Sequence, residues 1–361
     1  MKKRAAVLFF NFSFCILHFA FASDFQPALP GYEFEFPRDH GAHDEYRTEW
    51  WYYTGHLTTD SGRRYGFELT FFRAGVVPPG APEQTAWDLR NLSLAHFAIT
   101  DVSGRKFRYY ERLNRSSPFT AAASSGRLDV FNEAWRATTT SDGAWRITAS
   151  QNGDAIDLVL RTRKRPAIHG ENGVSVKAQG IGYASHYYSM TRLAVTGTIN
   201  SQRCTGLAWM DHEFGSSALR ENQQGWDWFS VQLANDSELM LYQIRRSDGT
   251  PDVTSSGSLI TPDGDVIHLT RDQMVVRPLR RWKSPQSGAT YPMGWSISIP
   301  SFAITLRLDP LLDNQELMTR SSTRVTYWEG AVDVTGSSDN VAVNGDGYVE
   351  MTGYDRAFRQ P

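Results

Sequence analysis

Glu49–Leu57 reads EWWYYTGHL and Trp226–Leu233 reads WDWFSVQL. The first run is followed by the turn Thr59-Asp60-Ser61-Gly62 and by Tyr65–Phe72 (YGFELTFF). The second is followed by Asn235-Asp236-Ser237 and by Leu239–Arg246 (LMLYQIRR). In YGFELTFF, Tyr65, Phe67, Leu69 and Phe71 alternate with Gly66, Glu68, Thr70 and Phe72, the period of a half-buried strand. Each block therefore predicts an antiparallel hairpin. Trp50 aligns with Trp226 and Leu57 with Leu233, so the hairpins predict an internal duplication. Outward from the first, Leu92–Thr100, Phe107–Arg112, Trp145–Ser150, Ile156–Arg161 and Tyr187–Ile199 are short strand-like runs. Gly257–Thr261, Val266–Leu269, Trp295–Ile299, Ala303–Leu308, Tyr327–Val334 and Gly347–Tyr354 follow the second. Many short strands with tight turns and almost no helical period predict an all-β chain of sandwiches or barrels. Two antiparallel β-barrels in tandem fit the length, and an eight-stranded barrel has room inside for one small ligand.

The start of the chain predicts export. Lys2, Lys3 and Arg4 precede an apolar run from Ala5 to Phe21, and Ala20-Phe21-Ala22 offers a small-x-small cleavage site. The run is short for a membrane span and no later one replaces it, so no transmembrane span is expected in the mature chain. Cys15, behind Ser13 and Phe14, makes a poor lipoprotein box. The expected layout is a signal peptide over 1–22, one barrel over 23–200 and a second over 201–361, with release to the periplasm or exterior. Losing three cations and no acids takes the net charge from −2 to −5. Cys204 then stands alone and makes no internal disulfide. Arginines scattered among acids argue against nucleic acid. Aromatics make up 13% of residues, including 11 Trp, which suits large rings lining a thick core or a cavity.

Candidate chemistry concentrates in Leu207–Leu233 (LAWMDHEFGSSALRENQQGWDWFSVQL). On a strand, Leu207, Trp209, Asp211 and Glu213 share one face, while Ala208, Met210, His212 and Phe214 share the other. Asp211 with Glu213 is the natural carboxylate pair. His212 reaches the same space only if the strand ends or bulges there. Asp227 sits between Trp226 and Trp228. The plain alternative is a polar corner that caps turns and pairs with arginines. Glu49, beside Trp50 and Trp51, is the best acid of the first half, or else a salt-bridge partner of Arg47 or Arg73. His40, His43, Asp44 and Glu45 have ligand-like spacing, but no second cluster completes a metal site, so a solvated entry loop is expected. His56 and His96 sit in strands, where a lone histidine is ordinarily structural. Glu329 and Glu350 are single acids in alternating strands and read as structural. The chain has no G-x-S-x-G elbow, no H-E-x-x-H, no phosphate loop and no dinucleotide fingerprint, and nothing requires a cofactor.

Seven stretches in order resemble the AttH/carotenoid 1,2-hydratase (CrtC-like) superfamily, more closely its AttH-like branch. They are HDEYRTEWWYYTGHL (43–57), LAHFAITD (94–101), YYSMTRLAVTG (187–197), AWMDHEFGSS (208–217), GWDWFSVQL (225–233), YWEGAVDVTG (327–336) and GYVEMTGY (347–354). The resemblance implies two lipocalin-like barrels, export and, for some members, association with ABC transporter systems. It implies a hydrophobic, isoprenoid- or lipid-like ligand and hydro-lyase or cyclase chemistry on a C=C bond. The alternative it leaves is a non-catalytic carrier or transporter accessory. Asp211, His212 and Glu213 match the family's motif, although Phe214 stands where the family often has Trp. With Asp227 they are the expected catalytic set. Trp209, Trp226, Trp228, Trp50, Trp51, Glu49 and His96 are the expected ligand-binding set, with no metal. Protonating an alkene needs a carboxylic acid kept neutral by an apolar pocket. Indole faces stabilise the resulting cation by roughly 0.5–2 kcal/mol each, and His212 would orient water.

Overall fold

A computed structural model describes residues 24–358, except 82–84, 86–87 and 172. The predicted signal peptide with its Ala22 site lies outside the described residues. Among these, the strands form two antiparallel sheets of 13 and 10 strands, and the helical elements are three short 3₁₀ turns. No helix among them is long and apolar enough to cross a membrane.

The two sheets repeat one wiring. In the first, the Thr48–Thr59/Arg64–Gly75 hairpin continues on one side to Asn91–Asp101 and Lys106–Arg115. On the other side Thr48–Thr59 pairs with Gln202–Gly215, which pairs in turn with Ala184–Ile199. In the second sheet the Gln223–Leu233/Glu238–Arg246 hairpin continues to Ser256–Ile260 and Val266–Thr270. Its leading strand pairs with Val341–Thr352, which pairs with Thr326–Ser338. So in both copies the leading strand of the first hairpin bonds to the last strand of its own sheet, which curls the sheet toward closure. The tandem, lipocalin-like all-β architecture and its duplication are thus present. Position 200/201 falls between two paired strands of the first sheet, and the chain changes sheet between Gly215 and Gln223.

Each barrel is filled by its own side chains. Trp51, Tyr53, Phe67, Phe71, Phe97 and Trp135 pack inside the first. Phe229, Leu241, Trp295, Leu306 and Trp328 pack inside the second. A third apolar cluster draws on both sheets, with Tyr52, Tyr187 and Trp209 from one and Trp228, Tyr242 and Tyr348 from the other. These residues occupy the outer faces of their barrels. The two sheets therefore stack outer face to outer face, and the hairpin strands are buried on both sides. This explains why EWWYYTGHL shows no clean alternation.

Polar bonds stitch the seam where rings leave gaps. Thr100 Oγ1 donates to Gln315 Oε1 at 2.7 Å, Gln232 Nε2 to the Ala208 carbonyl at 3.0 Å, and Arg192 Nε to Glu238 Oε1 at 2.5 Å. The sheets pack tightly at Gly66, where an added Cβ would lie 2.7 Å from Ala331 Cβ and 3.0 Å from the Tyr348 hydroxyl.

Candidate active site at the seam

A cavity of about 200 Å³ opens within this seam. The sequence reading placed a ligand inside one barrel, but the large rings that predicted a cavity fill those interiors and leave the space between the barrels. Trp50, Phe72 and Leu94 from the first sheet and Trp226, Trp228 and Ile244 from the second make the apolar wall. Glu68, Asp211, Glu213, Glu329, Glu350 and Lys177 make the polar part. The inter-barrel segment Ser217–Leu219 borders both this cavity and an outer cleft lined by Phe25 and Tyr183.

Asp211 is held by three donors. Tyr187 Oη donates to Oδ2 at 2.5 Å. Trp209 Nε1 donates to Oδ1 at 2.5 Å, and Ser189 Oγ donates to the same oxygen. Trp228 Nε1 reaches across the seam to the Tyr187 oxygen at 3.0 Å, so the second barrel steadies the acid of the first. Burial outweighs these donors and pushes Asp211 up to about 7. Glu213 accepts from Ser185 and pairs with Lys177 Nζ at 2.9 Å. That pairing overrides the burial that would otherwise lower the lysine, and Lys177 stays cationic.

The facing barrel supplies acids that sequence reasoning set aside as structural. Glu350 accepts from Trp226 Nε1 at 3.1 Å, and burial, aided by the charges of Glu68, Asp211 and Glu213, pushes it up to about 8. Glu329 accepts from Tyr52 Oη at 2.5 Å. Burial together with Glu68 and Glu350 drives it well above the carboxylate range. Glu68, also passed over, is pushed up to about 7 by burial.

The duplication relates these groups pair by pair. Trp50 lies opposite Glu213, and Tyr52 opposite Asp211. In the second sheet Trp228 lies opposite Glu350, and the Trp226 amide donates to Thr352 Oγ1 at 3.0 Å. With Trp50 matched to Trp226, Tyr52 matches Trp228 and Asp211 matches Glu350. On the next strand Tyr187 lies opposite Glu213 and Tyr327 opposite Thr352, so those tyrosines match as well. Each copy thus contributes one raised carboxylic acid from the same place in its fold. That match was the available signal for Glu350.

Of the other expected site residues, Asp227, Trp51 and His212 lie off the cavity, whereas Glu49 and His96 border it. Asp227 projects from the opposite face of its strand to Trp226 and Trp228. It is ion-paired with Arg245 and accepts from Tyr354 Oη at 3.0 Å. Trp51 points into the first barrel and stacks on His212, ring centroids 4.8 Å apart. His212 occupies the inner face that strand parity gives it, with no bulge to turn it. His96 does border the cavity, where Nδ1 meets Tyr327 Oη at 2.7 Å and Nε2 meets Ser322 Oγ at 2.9 Å. Burial lowers it to about 3, so it is neutral.

Glu49, which borders the cavity, also joins His212 and the expected entry loop in a second buried cluster. Glu49 Oε1 lies 2.8 Å from both His43 Nδ1 and His212 Nε2. Arg73 Nε donates to Glu49 Oε2 at 3.0 Å. The loop is solvated only in part: Asp39, His40, His43 and Tyr46 are buried, while Glu33, Glu35, Arg38 and Asp44 are exposed. Although burial would raise it, Arg73, His212 and His43 hold Glu49 well below the carboxylate range. Asp39 and Glu49 outweigh burial at His43 and lift it to about 9. Ligand atoms of His43, Glu49 and His212 lie within 4.8 Å of one another, a spacing a metal ion accepts. Here each atom is already used in a hydrogen bond, and the Arg73 cation beside Glu49 does the work an ion would do.

An AttH-like family profile matches residues 27–354. The chain belongs to the AttH-like family. Its fold is similar to a structure assigned as an AttH from Nitrosomonas europaea, with 34% identity over 91% of this chain and 99% of that one, TM-score 0.81. It is similar in fold to kievitone hydratase from Nectria haematococca, at 15% identity, 89% and 93% coverage and TM-score 0.70. It is also similar in fold to CghA bound to Sch210972, at 14% identity, 86% and 89% coverage and TM-score 0.51. No curated protein sequence matches.

Proposed function

We propose that this AttH-like protein binds an isoprenoid- or polyene-like ligand in the seam and protonates one of its C=C bonds. The observation that carries this reading is the pair of raised acids, Asp211 and Glu350, on a cavity that also presents the faces of Trp50, Trp226 and Trp228. Glu350, which burial pushes up to about 8, is assigned as the donor. Its O–H proton goes to the less substituted alkene carbon, the π pair forms the new C–H bond, and a tertiary cation results. The faces of Trp50, Trp226 and Trp228 lower the energy of that cation. Water then attacks the cation and gives its extra proton to the Asp211 carboxylate, which is hydratase chemistry. If a second C=C bond attacks instead, a ring forms and a carbon-bound proton is lost, which is cyclase chemistry. His212 has no part in either, because it faces the barrel interior.

The hydratase name of one fold relative agrees with this reading, at an identity that speaks for the fold alone. A carrier, exported and serving an ABC transporter system, is the second reading, favoured by the extent of apolar wall. Four buried raised acids would be a costly lining for a carrier. The test is to extract the protein purified from its host with organic solvent and to identify bound molecules by mass spectrometry. Incubation of the isolated molecule with wild type, Glu350→Gln and Asp211→Asn follows. The enzyme reading expects wild type to yield an isomer or a product heavier by one water, with both variants binding but not converting. Full conversion by Glu350→Gln removes Glu350 as donor, and binding without conversion by wild type leaves the carrier.

A further inference from the structure

Glu68 differs from the other seam acids in how it is satisfied. Thr70 Oγ1 donates to its Oε1 at 2.7 Å, but its Oε2, fully buried, has no hydrogen-bond partner. The residue is 1% exposed and borders the cavity. Nearby donors are committed elsewhere. The Tyr327 hydroxyl meets His96 Nδ1 at 2.7 Å while also pulling the Glu68 carboxyl down, and the Tyr52 hydroxyl donates to Glu329 at 2.5 Å. Thr54, directly across from Glu68 in the strand pair and on the same face, is also fully buried with its Oγ1 unpartnered. Thr54 does not line the cavity, so among the described residues Glu68 Oε2 is the unused hydrogen-bonding atom on its border. Buried polar groups left unpaired carry a penalty that a fitting ligand atom removes.

We propose that the seam cavity takes a ligand bearing an oxygen function, a hydroxyl or a carbonyl, that seats on Glu68 Oε2, and so prefers oxygenated isoprenoids over pure hydrocarbons. The proposal rests on the seam being the ligand site. It makes Glu68 a specificity-determining residue, distinct from the acids assigned to proton transfer. A hydrocarbon would bury Glu68 Oε2 against CH groups, whereas a hydroxyl or carbonyl restores one hydrogen bond there.

Geraniol and myrcene, an alcohol and a hydrocarbon of the same isoprenoid length, separate the cases by calorimetric titration of the full mature protein. Wild type should bind geraniol about tenfold more tightly, the value of one buried neutral hydrogen bond. Glu68→Leu should bind both alike with myrcene affinity kept, and Glu68→Gln, which still offers a donor and an acceptor, should keep the preference. Equal affinity of wild type for the two overturns the proposal while leaving the seam as ligand site, as does a preference that survives in Glu68→Leu. Failure of wild type to bind either compound refutes the seam reading and the proposal with it.

Discussion

Replacing Asp211 with Asn should abolish turnover and yet stabilise the protein above neutral pH. An ordinary aspartate titrates near 3.9, whereas burial raises Asp211 to about 7 in the folded state. Between those values the native state holds a proton that the unfolded chain has released, so stability falls as pH rises through this window. A shift of about three pH units is worth about 4 kcal/mol once complete. Asn carries no such charge and removes the loss. It also has a cost, because its amide nitrogen cannot accept from Tyr187, whose hydroxyl bonds to Oδ2 at 2.5 Å. Stranding that donor costs about 1–3 kcal/mol. The variant should thus be less stable than wild type by about 1–3 kcal/mol near pH 4 and more stable by a similar amount at pH 8, the curves crossing between. Urea unfolding followed by tryptophan fluorescence at several pH values measures this directly. A stability difference that stays constant from pH 4 to 8 would refute the claim that burial holds a proton on Asp211.

Other expectations follow from contacts described above. Gly66→Ala pushes a methyl into Ala331 at 2.7 Å and should cost about 1–3 kcal/mol in urea unfolding. Arg73→Met strips Glu49, buried at 1% exposure, of its cation and should cost about 3–5 kcal/mol, seen as a lower thermal midpoint. His43, raised to about 9, contributes stability that is complete below about 6.5 and is lost as pH rises through 9. His43→Gln should flatten that alkaline decline in a melting series.

The sequence made part of this legible and hid part of it for definite reasons. Strand parity alone assigned Asp211 and Glu213 to one face and His212 to the other, because the period of two is rigid. The duplicated hairpin was legible because turn, length and aromatic entry recur together. What covers the outer face of a barrel is not written in the strand that bears it. Glu68, Glu329 and Glu350 therefore looked like ordinary outward acids, and only the packing of the second barrel made them buried. The same blindness put Asp227 among the candidates, since lying between two tryptophans on a strand means facing away from both. His40–Glu45 seemed partnerless because Glu49 and His212 complete the cluster from strands, one of them more than 160 positions away.

The seam cavity has a consequence for how such a protein arises. Its walls come half from each repeat, and Asp211 and Glu350 hold the same position in the two copies. On a single barrel these acids would lie on an uncovered sheet, where water would return them to their ordinary strength. The chemistry is therefore a property of the pair and belongs to neither half. An ancestor with one barrel could have had it only by associating with a copy of itself.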